Sequence, residues 1–184
     1  MKVVSWQYLL TDHQVFTWRE LLKRGHQVQF ILGKTQDENR KKLGWSDTNL
    51  ESLTTQPLPV RGWWKTGTEI ILKNLDAIHI FSGFWADKRF FFLILFALSK
   101  GVRTMLMSES YSEVQSGYLQ KENKLKTAVK VFFRPLLYKT AIQLCNSFSR
   151  NNPIRILAIG PLAEKQFLKA GVSQPFIFPW GYFI

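Results

Sequence analysis

The side chains that can do chemistry fall into a few short stretches. Asp12 and His13 stand just after the first apolar run, Ser82, Gly83 and Trp85 follow a later one, and Glu109 lies between Ser108 and Ser110. Carboxylates, imidazoles and hydroxyls can hold the hydroxyls of a ligand by hydrogen bonds. A glycine lets backbone approach closely, and an indole offers a face for a ring to stack on. Each has a structural alternative. Asp12 can cap a helix with His13 in its exposed first turn. Ser82 to Trp85 can form a tight turn whose aromatics join the core. Glu109 can serve as a surface ion-pair partner. None of these residues is singled out as a catalytic base, so the catalytic residues are left unassigned.

A second kind of chemistry lies further on. Lys126, Lys130 and Arg134 recur every fourth residue, while Leu125, Ala128, Val129, Phe132, Phe133, Leu136 and Leu137 follow helical apolar spacing. A helix of that pattern can lie on an anionic membrane, apolar face down and cations at headgroup depth. The alternative is a helix packed on a sheet with a solvated basic back. Pro135 is expected to kink or split the segment.

Other chemistries lack their residues. The sequence has no G-x-G, so the dinucleotide fingerprint fails, and it has no Walker-type phosphate loop, D-x-D or G-x-S-x-G. One cysteine and three scattered histidines make no metal site, so no metal is expected. The lone Cys145 excludes an internal disulfide, and the polar start is unlike a signal peptide; both suit a cytoplasmic setting. The longest apolar run, 90–98, has half the length of a bilayer span and is expected to be a buried helix. His26, His79 and Cys145 are expected to be structural.

The elements that must position these residues are legible as an alternation. Strands are expected at 3–10, 28–32, 53–58, 77–81, 102–107, 154–159 and 176–178. Helices are expected at 12–24, 66–74, 87–100, 121–148 and from Pro161 to Gly171, with 34–50 a polar surface excursion. Gly25 is placed to end the first helix in the left-handed conformation. Such alternation predicts a single Rossmann-like, doubly wound α/β domain over 1–184, with a mostly parallel sheet of about six or seven strands and helices on both faces. Ligands of such sheets bind at the carboxyl ends of the strands, near the reversal of strand order. That puts 7–14, 82–85 and 108–113 along one cleft edge.

The net charge of +12, from 25 lysines and arginines against 13 acids, attracts phosphate-bearing partners. The bases are spread along the chain and no nucleic-acid module is present, so no nucleic-acid partner is expected.

Several segments together resemble the N-terminal domain of family-4-like glycosyltransferases of the GT-B fold. They are "LLKRGHQV" ending at Val28, "DAIHIFSGFW" at 76–85, "MLMSESYSE" at 105–113, Gly160-Pro161, Gly171-Val172, and Pro179-Trp180-Gly181. The chain departs from that family in having no Gly-Gly in its first loop, Ser82 where a histidine is frequent, and no Glu-x7-Glu. The resemblance implies the acceptor-binding half of a retaining transferase for polysaccharide or glycolipid assembly, peripheral at the inner face of the cell membrane. Asp12, His13, Ser82, Gly83, Trp85 and Glu109 would then bind a glycan or lipid-linked acceptor. Lys126, Lys130, Phe132, Phe133 and Arg134 would meet an anionic membrane surface. No cofactor is expected on this chain; a nucleotide-sugar donor would sit in an absent C-terminal domain or a separate donor-binding chain. The alternative expectation is a truncated, non-catalytic remnant that binds membrane or partner proteins.

Overall fold

In the computed structural model, the apolar runs form parallel strands separated by helices. The structure describes residues 1–34, 50, 53–110, 124–149 and 151–181; of residues 13 and 124–131 it describes the backbone only. The order is β1 (Lys2–Gln7), α1 (Asp12–Lys23), β2 (Gln27–Leu32), β3 (Thr54–Pro57), α2 (Trp63–Leu72), β4 (Ile78–Ser82), α3 (Lys88–Ser99), β5 (Arg103–Glu109), α4 (Lys124–Phe148), β6 (Arg155–Ile159), α5 (Pro161–Lys169) and β7 (Ile177–Trp180). Among the described residues the sheet has seven strands, all parallel, ordered β3-β2-β1-β4-β5-β6-β7. This is the expected Rossmann-like α/β domain. The excursion expected at 34–50 lies almost wholly outside the described residues.

The pleat sends alternate residues to opposite faces. Val4, Trp6, Phe81, Leu106 and Ile156 join one core cluster with buried residues of α2, α3, α4 and α5. Val3, Phe30, Ile80, Met107 and Leu157 join the other, with Val15 and Trp18 of α1. The chain steps outward from β1 to β3, returns through α2 to β4, then steps outward the other way to β7. Right-handed crossovers therefore place α1 on one face and the later helices on the other.

Local chemistry sets the boundaries. Thr11 caps α1, and the Gln14 side-chain oxygen accepts from the Thr11 N–H at 3.2 Å. Asp12 is therefore an exposed first-turn residue, not the cap. Gly25 has the expected left-handed conformation, φ 78°. Asp87 caps α3 by accepting from the Arg89 N–H at 3.0 Å.

Two expectations change. The 90–98 helix is not buried all round: Phe90, Leu93, Ile94, Ala97 and Leu98 face the core, while Phe92 stands exposed. Pro135 does not split α4, which runs unbroken from Lys124 to Phe148. The chain around Pro135 is exposed, so water can satisfy the carbonyl one turn earlier that proline cannot. Among the described residues no helix is long and apolar enough to cross a membrane.

Candidate functional site

Strand order reverses between β1 and β4, which pair from Val3–Ile78 to Trp6–Phe81. The chain leaves β1 toward α1 on one face and leaves β4 toward α3 on the other. In sheets of this kind the ligand crevice is expected at the carboxyl ends of two such strands. The Tyr8 N–H ties the two ends together by donating to Ser82 Oγ at 3.0 Å. The Ser82 hydroxyl keeps its own proton for a ligand. Gly83, φ 84°, then makes a tight turn with its N–H on the Phe81 carbonyl at 3.0 Å. Only glycine adopts that φ without strain.

The expected residues are partly brought together. Asp12 lies exposed at the first turn of α1, on the β1 side of the crevice, and Ser82 and Gly83 form its β4 side. The His13 side chain lies outside the described residues, as do 111–113. Glu109 is exposed at the end of β5, two residues beyond Met107, the partner of Ser82. Trp85 follows Gly83 in the turn before α3 and stays part-exposed. It stacks on Phe91 of α3, with ring centroids 5.1 Å apart at 28°.

Residues that the sequence did not single out hold this edge together. The Arg89 guanidinium pairs with the Asp87 carboxylate at 2.5 Å and donates to the carbonyls of Gly33, Leu58 and Pro59 at 3.0, 3.1 and 3.0 Å. One side chain thus ties the ends of β2 and β3 to the β4–α3 turn. Gly33 is required there, because a Cβ would stand 2.5 Å from Asp87 Oδ2. Gln7 is fully buried at the end of β1; its amide donates to Ser5 Oγ at 2.8 Å, and its Oε1 has no donor among the described residues. No spacing rule marks such partners, because they meet only across loops.

Two titratable groups expected to be structural are so. His79 is buried inside β4, where desolvation lowers its pKa to about 4. Burial on the inward face of the second half of α4 pushes the Cys145 thiol up to about 12. Among the described residues no group of His, Cys, Asp and Glu could hold a metal ion.

In α4 the inward residues are Ala141, Ile142 and Cys145, with Tyr138 half-buried. From Phe132 to Leu137 no residue is buried, and Phe132 is 77% exposed, with Phe133, Leu136 and Leu137 exposed beside it. Arg134 belongs to this stretch; the side chains of Lys126 and Lys130 lie outside the described residues.

No family model matches this chain, and no curated protein matches it. A solved structure similar to it is the 3-alpha-hydroxysteroid dehydrogenase from Pseudomonas sp. B-0831 complexed with NADH, 13% identical, covering 99% of this chain and 94% of that one, with a TM-score of 0.47. That neighbour is a dehydrogenase, not a GT-B glycosyltransferase, and it corrects the family expectation. The segments behind the resemblance, a strand, a glycine turn and a helix, are what any parallel α/β sheet requires. The acceptor-half and polysaccharide-assembly readings fall with it. At this identity and TM-score the likeness carries no activity to this chain.

Proposed function

We propose that this chain is a peripheral membrane protein. It attaches to an anionic lipid surface at the cytoplasmic face through α4 and offers the β1/β4 crevice to a small hydroxyl-bearing ligand. The observation that carries this reading is the stretch 132–137. Phe132, Phe133, Leu136 and Leu137 are exposed on a helix that has five basic residues and no acid. A water-solvated helix gains nothing by exposing four large apolar side chains in six residues, whereas an interfacial helix buries them among acyl chains.

The crevice supports the second half of the reading. It presents the Ser82 hydroxyl, the Asp12 and Glu109 carboxylates and a glycine turn, a set suited to a ligand's hydroxyls. It suits a pyrophosphate poorly. Residues 8–11 contain no glycine, Thr11 already caps α1, and Asp12 puts a negative charge where a phosphate would sit. The NADH of the dehydrogenase is therefore not extended to this chain.

Vesicle flotation tests the membrane reading. The protein is expected to float with vesicles of equimolar phosphatidylcholine and phosphatidylglycerol at low salt and to be released at high salt. Lys126→Glu, Lys130→Glu and Arg134→Glu together should abolish flotation. Binding that is absent, or unchanged by the charge reversal, would sink it.

A further inference from the structure

Outside α4, five aromatic residues of α2, α3 and the turn before α3 form one continuous group. Trp63 and Trp64 open α2, directly after β3. Trp85 lies in the turn after β4, and Phe91 and Phe92 are in the first turns of α3. Helices that follow parallel strands begin at the carboxyl edge of the sheet, so the run starts at that edge with Trp85 and Phe91 and extends down the helix layer to Trp64, which packs on Phe96 in the third turn of α3 at 5.6 Å. They form one run of touching rings: Trp64–Trp63 at 5.6 Å, Trp63–Phe92 at 6.3 Å, Phe92–Phe91 at 5.8 Å and Phe91–Trp85 at 5.1 Å between centroids. Three of the rings are open to solvent, with Trp64 45%, Trp85 40% and Phe92 53% exposed.

Helix α4 reaches past the same edge. Its 25 residues span about 37 Å, roughly twice the length of the strands beside it. Tyr138 packs on Phe84, just after β4, at 5.9 Å, and the buried residues come later, from Ala141 to Cys145. The chain enters α4 from the carboxyl end of β5 and leaves toward the start of β6. The residues before Tyr138, about 20 Å of helix, therefore overhang the carboxyl edge. This accounts for the lack of any buried residue from 132 to 137.

We propose that the aromatic run of α2 and α3 is a second membrane contact, coplanar with the overhang of α4, so that the carboxyl edge of the sheet faces an anionic bilayer and the β1/β4 crevice opens at headgroup depth. The proposal rests on the membrane reading of α4 and adds an orientation to it. Charge selects the occupant. Setting aside the mutually neutralised Asp87–Arg89 pair, the bases across α2, α3 and α4 are Lys65, Lys88 and the five of α4, and the single acid is Glu69. Tryptophan rings flanked by cations suit the boundary between acyl chains and anionic headgroups. The crevice ligand is then a membrane-borne, hydroxyl-bearing headgroup that arrives laterally from the bilayer.

The test uses the full chain and equimolar phosphatidylcholine–phosphatidylglycerol vesicles whose phosphatidylcholine is brominated on its acyl chains. Bromine quenches only indoles that reach the acyl region. Tryptophan emission is expected to fall on binding, and Trp64→Phe with Trp85→Phe should lose most of that quenching while keeping the fold. Trp64→Ser, Trp85→Ser and Phe92→Ser together should weaken vesicle affinity roughly tenfold or more. Unchanged quenching in the phenylalanine variant and unchanged affinity in the serine variant, with binding still abolished by charge reversal in α4, would overturn the orientation and leave the α4 reading intact. A serine variant that stays monomeric where the wild type self-associates, at equal vesicle affinity, would assign the rings to protein contact and also overturn it. Absence of any vesicle binding removes both.

Discussion

His79 ties the pH response of the fold to one buried ring. The Trp6 indole N–H donates to His79 Nδ1 at 3.1 Å, so Nδ1 carries no proton. The opposite nitrogen, Nε2, must then donate to the Asn74 carbonyl, 3.0 Å away. Asn74 in turn donates to the Ile70 carbonyl at 2.7 Å, joining β4 to the end of α2. Burial out of water penalises the charged ring and lowers its pKa from 6.5 to about 4; protonation would also set a second donor against the Trp6 N–H. Above pH 6.5 the ring is neutral in both the folded and unfolded chains, and this group contributes no pH dependence. As pH falls from 6.5 toward 4, only the unfolded chain takes up the proton, and stability is lost by about 1.4 kcal/mol per unit. The expected loss between about pH 7 and pH 5 is about 2 kcal/mol. Urea unfolding of the wild type and of His79→Gln at both pH values measures it. The variant can still donate to Asn74, and whatever its absolute stability, its loss should be smaller by about 2 kcal/mol. Equal losses in the two proteins, or an imidazole resonance of His79 that titrates at its ordinary value, would refute this account.

Other outcomes follow from packing at single positions. Arg89→Met leaves the Asp87 carboxylate without its ion-pair partner and three carbonyls without their donor; it should cost about 3 kcal/mol in chemical denaturation. Gly67→Ala would put a Cβ 2.6 and 2.8 Å from the two methyl carbons of Leu93, where α2 and α3 touch. An overpacking cost of about 1–3 kcal/mol should appear as a lower midpoint of thermal unfolding. The Cys145 thiol, buried and pushed up to about 12, should react with a thiol reagent only as fast as the protein opens; fast reaction in the native state would contradict its placement. Asp12→Asn should leave stability within about 0.5 kcal/mol, because Thr11, not Asp12, caps α1.

Much of the architecture was legible because it repeats. Val3, Val28, Ile78, Val102 and Ile156 open or follow short apolar runs, each separated by a helix-length amphipathic segment, and that alternation admits few arrangements besides a parallel sheet. Trp18 shows the limit of helical spacing used well: it falls on the expected face and is buried against Phe30 at 5.6 Å. Phe92 shows where the same reasoning failed. A run of nine apolar residues has no periodicity to reveal an exposed side, so only the packing of α3 between α2 and α4 separates Phe92 from Leu93.

The fold class, the strands of the candidate crevice and the basic, apolar character of 124–148 could be read from the residues alone. Those depend on hydrophobic period and composition, which are local properties of the chain. Packing put the Trp85 ring on Phe91 and made Arg89 the latch of three loop ends. It also left 132–137 without a buried residue and joined Trp64, Trp85 and Phe92 through one run of rings. Those facts depend on which segments become neighbours, and spatial neighbourhood between residues dozens of positions apart is set by packing of the whole chain, not by any local pattern.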